Sequence, residues 1–325
     1  MGEKNNALKV YMGKPERIRS VLEYQLGEKL PDNWKCEGAD EFYTNRTTKG
    51  KLSFRQRDAI KRITIGEKSF LLGLENQESI NLILPWRLLD MDRLVYGINI
   101  EDIQQANKDN DVAYGQEDDY KYRFLASDRL TPVLDLVLYW GTTPWERPRS
   151  MEDMVNLDAV PDNMRRFFQN YKMNLITMRD IPDSELEKMN SDLKYVLGIL
   201  KRSESAKEYT EFIRKNSNYF SRIPKSAADV IAAYTDIEDF EKYLVSETKE
   251  KGEEGYNMCK ALRDLQAQAE RNGEKRGEKR GEKKGTQKVN KLNRFLIRDG
   301  RQEDLLRATK DRRFQQKLFE EYCIN

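Results

Sequence analysis

Between Asp58 and Gln77 the chain carries two runs rich in apolar and β-branched residues, DAIKRITI (58–65) and SFLLGLENQ (69–77), separated by Gly66-Glu67-Lys68. Runs joined that tightly predict a β-hairpin. The second run finishes on Glu75, Asn76 and Gln77, and burying such groups without partners costs on the order of 2–7 kcal/mol even for a neutral one. Either the strand leaves the core there, or these side chains have a ligand. Upstream, Ile18, Val21, Leu22 and Tyr24 to Leu26 recur at near-helical spacing behind Pro15, a residue suited to a first turn, and predict a helix over 15–26. Downstream, apolar residues at 86, 88, 89, 91, 94, 95 and 98 predict a second helix over 85–103.

The run TPVLDLVLYWG (131–141), rich in β-formers and bounded by proline and glycine, predicts a third, buried strand, and MNLITM (173–178) a fourth. Helical patterns follow from about 184 to 268. In 271–288 glycines recur every fourth residue in a GEKR, GEKR, GEKK repeat with eight basic against three acidic side chains. Each glycine costs roughly 0.8–1.0 kcal/mol in a helix interior, so this stretch reads as a charged linker or frayed helix. Residues 289–324 are again amphipathic. The expected organisation is an α/β (α+β) domain over 1–182, a helical region over 183–270, the linker over 271–288 and a small helical segment over 289–325.

Composition narrows the chemistry. There is no histidine, so Ser-His-Asp and Cys-His hydrolases, phosphorelay proteins and most catalytic zinc sites are excluded. Hydrolysis would have to come from carboxylates, amides, lysines and an oxygen-loving metal such as Mg²⁺. The three cysteines, Cys36, Cys259 and Cys323, are far apart and odd in number, which speaks against a disulfide framework and suits a reducing interior. The amino terminus MGEKNNALKV lacks an apolar stretch, and no run of about 18 apolar residues occurs, so a cytoplasmic protein without a membrane segment is expected.

Alternation along a strand puts Glu75 and Gln77 on one face and Asn76 on the other. Asp58 begins the partner strand, so an antiparallel hairpin turning near Gly66 and Glu67 brings it beside Glu75 and Gln77. Two carboxylates and a carboxamide suit a hard divalent cation. The alternative is a polar strand end facing solvent.

The Asp58, Glu75, Gln77 layout resembles the PD-(D/E)xK nuclease superfamily. The blocks GLENQESINLILPWRLL (73–89), TPVLDLVLYWGTTPWERPRSMEDM (131–154), NYKMNLITMRDI (170–181), SDLKYVLGILKRS (191–203) and NMCKALRDL (257–265) resemble the Rpn-type recombination-promoting nucleases, the YhgA-like transposase family. The resemblance implies a restriction-endonuclease-like central mixed sheet flanked by helices. It also implies a Mg²⁺-dependent DNA endonuclease of bacteria serving recombination or phage defence. Asp58 and Glu75 would be metal ligands, and Gln77 would stand at the catalytic position where most of the superfamily has lysine; glutamine is usual within this family. Relatives often carry an amino-terminal aspartate where this chain has Asn5 or Asn6. Glu23, on the opening helix, is a candidate additional acid, or else an exposed helix charge. A catalytically weak or inactive nuclease-fold scaffold that binds DNA or a protein partner is the alternative.

Arg57 and Arg87 are candidate phosphate contacts for a DNA partner, as are Arg55, Lys61 and Arg62, although solvated strand charges explain the strand residues equally well. Trp145, with Arg147 and Arg149, could clamp a nucleic-acid strand or pack a rigid loop onto the sheet. Asp90 and Asp92 project about 200° apart on a helix and cannot share one metal. A double-strand cut needs two sites, so a homodimer through the carboxy-terminal helices is expected.

Overall fold

The computed structural model describes residues 3–39, 57–113, 121–234, 246–250 and 253–324, in two compact units, Met1–Cys259 and Lys260–Asn325. Its class is mixed α/β. Helix α1 (Glu3–Met12) is followed by α2 (Pro15–Leu26), which has proline in its first turn and closes on Gly27 at φ 71°, a left-handed conformation that glycine adopts without a Cβ penalty. Arg17 of α2, 1% exposed, ties the first unit together by donating to both carboxylate oxygens of Asp192 at 2.6 and 2.8 Å and to the Tyr11 carbonyl.

The central sheet has the strand order β1 (Lys35–Gly38), β2 (Ala59–Ile65), β3 (Lys68–Gln77), β4 (Val133–Tyr139) and β5 (Leu175–Thr177). The first three strands pair antiparallel; β4 lies parallel to β3, and β5 to β4. A parallel neighbour needs a long crossover, here supplied by α3 (Leu84–Asp109) between β3 and β4. The inner face of α3 packs Leu84, Leu88 and Met91 against Val137, Tyr139, Trp145 and Met173. Each such side chain contributes about 1.5–3 kcal/mol by leaving water. A second cluster joins Val95 of α3 to Ala39, Ile60 and Leu71.

The hairpin, both crossed strands and the first two expected helices are thus present, with α3 running six residues beyond its expected end. Helix α1 and strand β1 were not expected: EKNNALKVYM offers only Leu8, Tyr11 and Met12 to the core, and KCEG shows no alternation. The helical stretch after 183 contains α4 (Asp183–Lys188), α5 (Leu193–Leu200), α6 (Ala206–Lys215), α7 (Ser217–Phe220) and α8 (Lys225–Tyr234). It also holds a small sheet, ordered β6 (Ile223–Pro224), β8 (Glu253–Tyr256), β7 (Ser246–Glu250). The strands β7 and β8 read SETKE and EEGY, a composition with no apolar period to betray them.

Residues 271–288, read as a linker or frayed helix, are helical throughout, inside α9 (Met258–Arg298). With α10 (Gln302–Ala308) and α11 (Arg312–Glu321) the end of α9 builds a core of Leu292, Leu296, Ala308, Leu318 and Ile324. No helix among the described residues is long and apolar enough to cross a membrane.

Candidate active site

The hairpin register pairs Ala59 with Leu74 at its open end, so Asp58, one residue further out, stands opposite Glu75. Both are buried, at 3% and 4% exposure. Asp58 Oδ2 accepts the main-chain N–H of Asn76 at 2.7 Å, and the Asn5 side chain of α1 also hydrogen-bonds this carboxylate. Burial raises the Asp58 pKa, and the hydrogen bonds from Asn76 and Asn5 oppose that rise. Asn5 therefore touches Asp58, whereas Asn6 is exposed.

Glu75 Oε1 accepts from Gln77 Nε2 at 3.1 Å and from Arg87 Nη2 at 3.3 Å, while Oε2 is buried with no hydrogen-bond partner. Its pKa is pushed up to about 7, first by burial and then by the Asp58 charge; the guanidiniums of Arg87 and Arg57 only partly counter this. Alternation along β3 places Gln77 on the Glu75 face, and α3, whose first turns carry Arg87, covers that same face. Asn76 points to the other side, where its Oδ1 accepts from Trp140 Nε1 at 3.1 Å. Asp58, Glu75, Gln77 and Arg87 thus converge on one end of the sheet. Among the described residues no group of three or more acids, cysteines or histidines could hold a metal.

Two candidate residues fall elsewhere. The Arg57 guanidinium, expected to reach a phosphate, is 2% exposed and paired with Asp135 at 2.8 Å and with Asp92. Tyr171 donates to both acids, at 3.0 and 2.7 Å, and burial with the Asp92 charge raises the Asp135 pKa despite Arg57. Gly73 makes room for this cluster: a Cβ there would lie 2.1 Å from Asp135 Oδ1. Arg57 is therefore a buried counter-ion, not a surface contact. Glu23 accepts from Arg19 at 2.8 Å, Lys29 at 3.0 Å and the Leu30 N–H at 3.1 Å, and none of these partners belongs to the hairpin group. Burial works to raise its pKa, but those hydrogen bonds hold it below the usual range.

Trp145 is buried edge-on against Tyr139, with its N–H on the Pro148 carbonyl, while Arg149 caps the Trp145 carbonyl; the loop is packed onto the sheet. Arg147 remains 81% exposed. Arg55 lies outside the described residues. Asp135 and Tyr171 were missed by sequence reasoning, which weighed Asp92 only as a metal ligand beside Asp90. The one available signal was an aspartate inside the apolar run VLDLVLY, where an unpaired charge would be untenable.

Comparison with known proteins adds one match. Residues 119–230 fit the family described as "Putative transposase, YhgA-like". Neither a curated protein nor a solved structure matches the chain. The matched segment holds β4, β5 and the helices through most of α8, and it begins after Asp58, Glu75 and Gln77. The match supports the family drawn from the sequence blocks, the YhgA-like, Rpn-type transposases.

Proposed function

We propose that this chain is a Mg²⁺-dependent endonuclease hydrolysing DNA phosphodiesters in the cytoplasm, as part of transposition or recombination. The observation that carries this reading is the opposition of Asp58 and Glu75 at the open hairpin end, with Glu75 Oε2 buried and without a geometric hydrogen bond. Two carboxylates this close repel each other, and Arg87 alone does not restore Glu75 to its ordinary acidity. A hard cation supplies the missing charge and accepts oxygen donors of this kind, so the residues fit a magnesium ion. When bound, such an ion polarises the scissile phosphate and acidifies an attacking water, which is what a protein without histidine needs.

The chain's own groups divide the remaining work. Asp58 is aimed by hydrogen bonds from the Asn76 main chain and side chain and from Asn5, which fix the direction of its carboxylate. Gln77, half-buried beside Glu75, carries both a donor and an acceptor and can orient the attacking water without removing its proton. Arg87, half-buried beside Glu75, carries guanidinium N–H donors that could also hold a non-bridging phosphate oxygen. A plasmid-nicking assay with and without Mg²⁺ tests the reading. The wild type should nick only with the metal, and Asp58→Asn should lose cleavage by about 100-fold or more, as expected when transition-state charge stabilisation is removed. Equal residual cleavage by both proteins would instead favour a nuclease-fold scaffold that binds DNA or a protein.

A further inference from the structure

Helix α1 seats Leu8, Tyr11 and Met12 in the core and packs against β3. That packing brings Asn5 to the Asp58 carboxylate, to which its side chain donates a hydrogen bond. Lys9 follows Asn5 by four residues, so it stands on the same side of the helix one turn, about 6 Å, further along. Lys9 is half-buried, and its four-methylene stem carries the charged head well away from the backbone. Burial raises the Asp58 pKa, and the Asn76 hydrogen bonds, the Lys9 charge and the Asn5 hydrogen bond oppose that rise. The ammonium is therefore close enough to act on the first acid of the site.

A cation thus accompanies each acid, and the two come from different elements: Arg87 of α3 acts on Glu75, and Lys9 of α1 acts on Asp58. The end of β3 supplies no cation of its own. Gln77 is neutral, and its Nε2 is already given to Glu75 Oε1 at 3.1 Å. A carboxamide can orient water, but it carries no charge to set against the negative charge that builds on the phosphoryl oxygens as water attacks. A lysine ammonium does so as a compact point charge with three donors. We propose that Lys9 is a further catalytic residue of this site, its ammonium holding a non-bridging oxygen of the scissile phosphate on the Asp58 side. The inference rests on the nuclease reading and adds α1 to the elements that build the site.

Steady-state nicking of a supercoiled plasmid at saturating Mg²⁺ tests it, together with thermal melts of the same full chains with and without Mg²⁺. Lys9→Met keeps an unbranched stem and removes the charge. Its kcat should fall about 100-fold or more, the usual loss when one donor to a developing oxyanion is removed, while KM stays within about threefold because the contact strengthens in the transition state. Lys9→Arg keeps a positive charge in another shape and should retain about tenfold more activity than Lys9→Met. The rise in melting temperature on adding Mg²⁺ should be at least as large in Lys9→Met as in the wild type, because a charge that repels the cation has been taken away. If Lys9→Met does not fold, Lys9→Gln serves in its place. Equal kcat for the wild type and Lys9→Met, with Asp58→Asn inactive, overturns the inference and leaves the nuclease reading standing. A loss confined to KM, or one that follows a smaller Mg²⁺-induced shift, also overturns it and makes Lys9 a docking or charge-balancing group. A wild type that does not nick with Mg²⁺ removes the nuclease reading, and this inference with it.

Discussion

The Asp58 carboxylate accepts the main-chain N–H of Asn76 at 2.7 Å, so the first acid of the candidate site also closes the last rung of the β2–β3 hairpin. Structure and charge are therefore entangled at this residue, and a truncation confuses them. Asp58→Ala strands a buried N–H and should cost about 1–3 kcal/mol of stability. Asp58→Asn keeps an oxygen acceptor and removes only the charge, so its chemical denaturation midpoint should stay close to that of the wild type. If Asp58→Asn proves as unstable as Asp58→Ala, the carboxylate's charge rather than its hydrogen bond holds the hairpin end.

Glu75 makes the metal-free protein pH-sensitive. Its folded pKa of about 7 stands above the ordinary 4.5, so the folded state binds the extra proton between those values. Stability from this group is fully present below about pH 4.5 and is lost as pH rises through 7, with an upper bound of roughly 3 kcal/mol. Denaturation in the presence of a chelator should therefore show a decline from pH 5.5 to 8 that Glu75→Gln flattens. Adding Mg²⁺ at pH 8 should restore stability to the wild type and leave Glu75→Gln unmoved. Persistence of the decline in Glu75→Gln would move its origin to another buried acid, with Asp135 the first to examine.

Arg57 predicts a different phenotype from a phosphate-binding arginine. Replacing it by methionine leaves Asp92 and Asp135 facing each other in the interior with only Tyr171 between them. Breaking one side of a buried ion pair typically costs about 3–5 kcal/mol. Arg57→Met should thus lower the unfolding midpoint sharply, whereas Arg87→Met, whose buried partner Glu75 can take up a proton in its absence, should destabilise less while weakening DNA retention at low salt. Equal effects of the two variants on stability would contradict this division.

The difference between these two arginines marks where the sequence stops being readable. The hairpin was legible because its signals are local: two β-rich runs, a tight turn at Gly66 and Glu67, and an alternation that fixes which of Glu75, Asn76 and Gln77 share a face. The opposition of Asp58 and Glu75 follows from that register alone. Arg57, one residue away, has its fate decided by Asp92 and Asp135, 35 and 78 residues further on, brought to it by the α3 crossover and the parallel β3–β4 pairing. No spacing rule connects those three positions. Trp145 was the intermediate case: its proline-rich loop suggested rigid packing, and the Tyr139 ring it packs on lies only six residues away. Glu23 shows the reverse limit, since a helix-borne acid of the right type finds basic partners nearby and never reaches the hairpin.

The glycines of the GEKR repeat offer a test of how far local propensity governs the second unit. Gly277, Gly281 and Gly285 lie within α9, and a Cβ at any of them would meet nothing within 4 Å. Alanine there clashes with nothing and lowers the backbone entropy lost on forming the helix, a gain of about 0.8–1.0 kcal/mol per site in a helix interior. A triple glycine-to-alanine variant should show stronger helical circular dichroism and later melting of α9. The core of Leu292, Leu296, Ala308 and Leu318 touches none of the three positions, so its own unfolding should move only if α9 melts together with it. A triple variant with unchanged helicity would mean that the repeat's charges, eight basic against three acidic in 271–288, rather than its glycines limit the helix. Raising the salt concentration should then strengthen the wild-type signal as much as the substitutions fail to, because screening weakens repulsion between like charges on neighbouring turns.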